Sequence, residues 1–144
     1  ELARAIWEEL NRSHDAIRKI RDVRGQVKAL AERTDDEAVG DKAEAIAGSL
    51  TSIEEKLHQV KSESSQDILN FPPQIDNQLL YLQGIVERTL GSPLPSSRAL
   101  FAELSAELDG YIAELDAVIA EQLPEFERLL EDAGVKLVAV EGTE

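Results

Sequence analysis

The sequence predicts an all-α fold: an antiparallel up-down-up-down four-helix bundle, with residues 1–134 as a single domain. Three observations support this prediction. Apolar residues recur at steps of three and four along four segments, as they do on one face of a helix. Glycine, proline and polar residues interrupt this pattern between the segments. Leu, Ala and Glu are the commonest residues of a 144-residue chain with only 4% aromatic residues, which is typical of long packed helices.

The first helix is predicted over residues 2–33, and the second begins at Thr34 and ends near residue 64. In the first helix, Ser13 occupies the one step of the apolar stripe that lacks an apolar residue. Thr34 stands three residues before Glu37, which is the spacing of a capping box with Thr34 as the N-cap. The second helix has the most regular stripe, at heptad spacing: Val39, Ala43, Ile46, Leu50, Ile53, Leu57 and Val60.

A packed loop is predicted between the second and third helices. Pro72 and Pro73 cannot both lie inside a helix, so they end the helical pattern. Apolar residues just before them favour a loop that packs against the bundle. The polar residues in and after this loop either tie down its backbone or bind a partner. With one aromatic residue they form a candidate set: Gln66, Asp67, Asn70, Phe71, Asp76, Asn77 and Gln78.

The third helix is predicted over residues 74–90 and the fourth over residues 95–133. Pro124 lies inside the fourth helix, where the loss of one backbone hydrogen bond predicts a kink. Gly134 suits the C-terminal cap of that helix. Residues 135–144 are therefore expected to form a C-terminal tail beyond the bundle.

Charge constrains both the partners and the topology. The formal net charge of −14 argues against nucleic acids and anionic membranes as partners. No apolar run is long enough for membrane insertion. Residues 1–33 carry eight basic and six acidic side chains, whereas residues 99–144 carry two and twelve. In an up-down-up-down bundle the first and fourth helices are neighbours, which places these segments side by side.

The sequence offers little that points to catalysis or metal binding. Glu55 and His58 fit one Glu-x-x-His motif of the di-iron bundles, but the second motif that such a site needs is missing. Ser13, His14 and Asp15 are consecutive, so on a helix their side chains diverge instead of forming a triad. The chain has no cysteine, which excludes disulfides and thiolate metal sites. We therefore predict a domain that is not an enzyme and has no cofactor and no metal.

Trp7, the single tryptophan, stands next to the apolar stripe of the first helix. Two interpretations are open: a core residue at the end of the bundle, or a contact to a preceding part of the protein. The second arises because the chain contains no methionine and so no initiator residue, as expected for a piece of a longer protein. Trp7 therefore joins the candidate interaction residues.

Residues 64–86, SSQDILNFPPQIDNQLLYLQGIV, resemble a segment near the C-terminus of large secreted bacterial proteins. The main body of those proteins is a sortilin-like or Asp-box β-propeller, often labelled glycosyl hydrolase-like. The resemblance implies a non-catalytic structural or protein-interaction domain, with any hydrolase activity upstream. It also implies a periplasmic or extracellular location and, as partner, the upstream domain or another protein. The matching positions are Gln66, Asp67, Leu69, Asn70, Phe71, Pro72, Asp76, Asn77, Gln78 and Leu79.

Two alternatives to this reading are open. One is a four-helix bundle that acts alone and binds a small ligand or a metal. The other is a homodimer, because the heptad stripe of the second helix permits self-association.

Overall fold

The computed structural model describes residues 1–58, 74–89 and 91–135 and confirms an all-α four-helix bundle. Its helices are α1 (Leu2–Ala31), α2 (Glu37–Leu57), α3 (Ile75–Arg88) and α4 (Pro95–Asp132). None of these four helices combines the length and the apolar character that crossing a bilayer requires. The candidate residues Gln66, Asp67, Asn70 and Phe71 lie outside the described residues, as do residues 136–144 of the tail.

The core lies along the apolar stripes of the four helices. Ser13 is fully buried in α1, at the step of the stripe that the sequence assigned to it. The heptad stripe of α2 is buried from Val39 to Leu57. Full burial of one large apolar side chain contributes about 1.5–3 kcal/mol, so the stripes hold the helices together. The largest fully buried side chains are Phe126, Ile6, Ile20, Ile46, Leu50, Leu57, Ile75, Leu79, Leu82, Leu104, Leu108 and Leu115.

The start of α2 corrects one prediction. Asp36 is the N-cap, and its Oδ1 accepts a hydrogen bond from the Val39 N–H at 3.2 Å. The capping box with Thr34 as N-cap is therefore wrong, since the Thr34 hydroxyl accepts from the Asp36 N–H instead. Aspartate caps a helix at least as well as threonine, and its charge is favourable at the positive end of the helix dipole.

The end of α4 follows the prediction. Gly134 has a φ of +81°, and its N–H donates to the Glu131 carbonyl while the Val135 N–H donates to the Leu130 carbonyl. These two bonds make a Schellman motif, in which glycine adopts the left-handed conformation without a Cβ clash. The helix continues through Pro124, and a kink at that point stays a prediction.

Polar pairs between helices show that α2 is antiparallel to both long helices. Arg24 of α1 donates to Thr51 of α2, whereas the earlier Arg21 donates to the later Glu54. Residue numbers thus fall in one helix as they rise in the other. The ion pairs between α2 and α4 follow the same rule: Lys42 with Glu125 and Lys56 with Glu114.

α1 and α4 contact each other, as their opposite charges predict, but they run in the same direction. Arg12 pairs with Asp109 at 2.8 Å, and one level further along, Lys19 pairs with Asp116 at 3.8 Å. Both numbers rise together, which only parallel helices allow. The predicted up-down-up-down order of directions is therefore wrong, although the four-helix bundle itself is confirmed.

α3 continues the path of α2 instead of reversing it. His58, at the end of α2, contacts Asp76 in the first turn of α3. Elsewhere α2 and α3 share few contacts, and α3 packs against α1 and α4. The 21 residues of α2 and the 14 of α3 together span about 53 Å, close to the about 57 Å of the 38-residue α4. α2 and α3 thus run in the same direction, one after the other, and form a single path that is broken between them.

The length of the connection explains this difference. The up-down-up-down prediction treats each connection as a reversal of direction, which holds for residues 32–36 between α1 and α2. Residues 58–74 form a much longer connection than a tight turn requires. A connection of this length does not require α3 to reverse the direction of α2.

Candidate functional site

The break between α2 and α3 gathers polar side chains from three helices around one cavity, which we call the junction cavity. Its volume is about 190 Å³. Both histidines of the chain lie here. An unbroken helix would present its apolar stripe at this level, so the break is what admits polar groups. The lining residues are His14, Ile17, Arg18 and Arg21 from α1, His58 from the end of α2, and Asp76 from α3.

His58 and Asp76 join the two parts of the broken path. Nδ1 of His58 lies within hydrogen-bond distance of Oδ2 of Asp76. Because an ionised carboxylate only accepts, the imidazole N–H is the donor. Asp76 is 4% exposed, and its Oδ1 is buried without a hydrogen-bond partner among the described residues. A buried carboxylate oxygen without a partner costs free energy.

Glu54 is the second buried carboxylate next to the cavity, and its environment is different. It accepts hydrogen bonds from Nε of Arg21 at 2.7 Å and Nη1 of Arg24 at 2.8 Å. Burial acts to raise the pKa of Glu54, but the bonds from Arg24 and Arg21 outweigh it and hold that pKa below its ordinary value. Glu54 is therefore a paired, charged group that fixes Arg21 at the edge of the cavity.

Comparison of the chain with known protein families, curated proteins and solved structures finds no match. The functional proposals therefore depend on the geometry of the junction cavity and its surroundings. They depend as well on the resemblance of residues 64–86 stated above.

The described residues include the three candidate residues at the start of α3. Asp76 is buried and bound to His58, whereas Asn77 is exposed and Gln78 is half-buried. The structure thus places one of these three candidates in the junction cavity. The described partner of Asp76 is the side chain of His58, the C-cap residue of α2.

Trp7 is not a core residue, because 57% of it is exposed. It precedes His14 by seven residues, so the two side chains share one face of α1 and lie about 10 Å apart along the axis. On α3, the half-exposed Leu80 follows Asp76 by about one turn. Two exposed apolar residues, one on each helix, therefore lie within two turns of the cavity.

The structure does not assemble the catalytic or metal constellations that the sequence offers. Ser13 is buried and His14 lines the cavity, whereas Asp15 is exposed and pairs with Arg18. Among the described residues, no group of three or more histidine, aspartate or glutamate side chains could hold a metal ion. The described partner of His58 is Asp76, which lies on a different helix from Glu55.

Sequence reasoning did not predict that His14, Arg21 and His58 lie together, although the sequence contains part of the signal. His14 and Arg21 are seven residues apart and so share one helix face. His58 directly follows Leu57, the last residue of α2. His58 meets Asp76 across the connection between α2 and α3, and the periodicity of a single helix does not record such a contact.

Proposed function

We propose that this chain is a non-catalytic helical interaction domain that binds another protein surface. Its contact surface is the face of α1 and α3 that carries Trp7 and Leu80. The observation that carries this proposal is Trp7, a largely exposed tryptophan on a 30-residue helix. Large aromatic residues on rigid elements are typical anchors of protein interfaces, since they bury much area at low conformational cost.

The charge distribution favours this face over α4. The exposed side of α1 carries both signs, as the Arg4–Glu8 and Arg18–Asp15 pairs show. A mixed surface accepts a partner without a large charge imbalance. The exposed side of α4 carries mostly carboxylates, including Glu103, Glu107, Glu121 and Glu127, and would require a strongly basic partner.

The resemblance of residues 64–86 supports an upstream domain of the same polypeptide as the partner. In the proteins that this segment resembles, a β-propeller forms the main body and the similar segment lies near the C-terminus. A helical domain in that position would act as a brace or docking module on the propeller. The same resemblance supports a periplasmic or extracellular location.

Calorimetric titration of the domain with the upstream part of its own polypeptide tests this proposal. Trp7→Ala is expected to weaken binding by at least about tenfold, because truncation of an anchoring aromatic costs about 2 kcal/mol or more. Tyr81→Ala is the matched control. Tyr81 is also an exposed aromatic residue, at 68%, but its register places it on the opposite flank of α3 from Asp76.

Three outcomes would contradict the proposal. Unchanged affinity of Trp7→Ala, or equal loss in Trp7→Ala and Tyr81→Ala, would rule out the assigned surface. A full-length sequence without an upstream domain would rule out the partner. Thermal unfolding of both variants should match that of the unmodified domain, because the two side chains are exposed.

Binding of a small ligand is a second candidate function, favoured by the junction cavity. The cavity combines two arginines, two histidines and a buried aspartate, one oxygen of which has no partner among residues 1–58, 74–89 and 91–135. This observation supports the small-ligand part of the alternative more than the metal part. The homodimer stays a prediction, and light scattering of the purified chain would test it.

A further inference from the structure

We propose that the junction cavity binds inorganic phosphate through its hydrogen phosphate form, which keeps a hydroxyl group. This inference concerns the second candidate function and does not depend on the interaction surface at Trp7. It follows from two features of the cavity wall. One is a group of cationic donors, and the other is a buried acceptor with no partner in the part of the chain that the structure describes.

The donors come from α1. Arg18 and Arg21 both line the cavity, and each guanidinium has five N–H donors in a planar fork that suits phosphate oxygens. The bond from Arg21 to Glu54 uses Nε, which leaves its terminal nitrogens for a ligand. Arg18 also pairs with Asp15 and Arg21 with Glu54, so the donors for an anion are the guanidinium nitrogens outside these pairs.

The start of α3 adds to these donors. The helix begins at Ile75, and its N-cap, Gln74, makes no side-chain capping bond among the described residues. The N–H groups of a first helical turn and the positive end of the helix dipole favour an anion. The same turn carries Asp76, which lines the cavity.

Asp76 decides which anion fits. Its Oδ2 accepts from His58 and its Oδ1 has no partner among the described residues. A fully deprotonated anion would only add repulsion to this carboxylate. Hydrogen phosphate can instead donate its P–OH to Oδ1 while its other oxygens accept from Arg18 and Arg21. Oδ1 is buried, so this bond requires a rotation about the χ2 torsion of Asp76, which is broad for aspartate.

Sulfate is the natural control ligand, because it has the same shape but no hydroxyl to donate. NMR spectra of the imidazole C–H groups report on the site directly, since both histidines of the chain line the cavity. Inorganic phosphate, titrated at constant ionic strength, should shift the signals of His14 and His58 to saturation. Sulfate should bind at least about tenfold more weakly, because it leaves the carboxylate unpaired. Methyl phosphate at about pH 7.5 should behave like sulfate, since its second pKa is about 6.

Three variants sharpen the test. Asp76→Asn should remove the preference for phosphate over sulfate, because the amide can donate to either ion. Arg18→Gln should weaken the binding of phosphate and of sulfate to a similar extent. Arg4→Gln is the matched control, since Arg4 is an exposed arginine of the same helix outside the cavity, and it should leave binding unchanged.

The proposal is overturned if phosphate leaves both imidazole signals unmoved. It is also overturned if phosphate, sulfate and methyl phosphate bind equally, which would indicate nonspecific attraction to the arginines. The comparison of ions needs only the unmodified chain, so the result holds even if Asp76→Asn fails to fold. Loss of phosphate binding with intact partner binding, or the reverse, separates this proposal from the interaction function.

Discussion

α1 and α4 cross the bundle without interruption, whereas the antiparallel path beside them is divided into α2 and α3. The continuous pair is joined at its surface by exposed ion pairs such as Arg12 with Asp109. The broken path has buried polar groups at the break, among them Asp76, and Glu54 one turn before the end of α2. Among the described residues, the two buried carboxylates thus lie at or near the break, whereas the continuous helices bury only the small polar side chains of Ser13 and Ser97.

The two parts of the broken path also differ from each other. α2 begins at the side-chain cap of Asp36 and buries its heptad stripe from Val39 to Leu57, while Val60 lies outside the described residues. α3 has only 14 residues and exposes both Leu80 and Tyr81. Regions with fewer buried apolar contacts open at lower free energy than the rest of a protein. α2 is therefore the stable scaffold, and α3 is the part that can respond to a ligand or partner.

The largest expected effect comes from truncating the scaffold. Leu50 of α2 and Leu79 of α3 are both fully buried. Leu50→Ala should lower the free energy of unfolding by about 3 kcal/mol in urea denaturation, through lost burial and the cavity left behind. Leu79→Ala should also destabilise the protein. However, Leu79→Ala should accelerate amide hydrogen exchange in α3 more than in α2, because α3 opens locally.

This pair of variants tests whether α2 and α3 differ in local stability. If Leu79→Ala accelerates exchange equally in α2 and α3, the two helices unfold as one cooperative unit. The division into scaffold and responsive element would then be wrong. Leu50→Ala serves as the control, since its effect should spread over all the described helices.

The second effect is the pH dependence of the stability that Glu54 contributes. The folded-state pKa of Glu54 lies below its ordinary value, and the unfolded value is about 4.3. The folded state therefore binds fewer protons, so the contribution of Glu54 is present above about pH 4.3 and is lost as the pH falls through the folded pKa. Glu54→Gln should cost about 2 kcal/mol at neutral pH, because it leaves Arg21 and Arg24 without their carboxylate.

Denaturation of the unmodified protein and of Glu54→Gln at a series of pH values measures this contribution. The difference in stability between them should shrink on acidification below about pH 4. Glu103→Gln, at an exposed position of α4, is the control and should cost little at any pH. A difference for Glu54→Gln that stays constant with pH would show that packing, and not charge, explains its cost.

The helices were predictable from the sequence because their signals are local. The spacing from Val39 to Leu57 and the glycine at position 134 depend on neighbours within two turns. The choice between Thr34 and Asp36 as N-cap was not settled by spacing, since both residues can make the capping bond. The direction of α3 depends on a long connection whose path no local pattern records, so the parallel arrangement of α1 and α4 could not be predicted.

The candidate site was predictable only in part for the same reason. Asp76 was selected as a polar residue after a proline-containing loop, and the structure places it in the junction cavity. Its pairing with His58 crosses the break, and its approach to His14 and Arg21 crosses between helices. Such contacts follow from topology, which the periodicity of a single sequence does not encode.

The smallest expected effect tests the parallel direction of the two continuous helices. The hydrogen bonds that Arg12 donates to Glu9 and Asp109 raise its pKa, so it stays charged under all ordinary conditions. A double-mutant cycle with Arg12→Gln and Asp109→Asn should give a coupling of about 0.2–1 kcal/mol, as expected for an exposed pair. The same cycle between Arg12 and Glu125 should give none, since Glu125 pairs with Lys42 at another level of the bundle. Coupling to Glu125 without coupling to Asp109 would contradict the parallel arrangement.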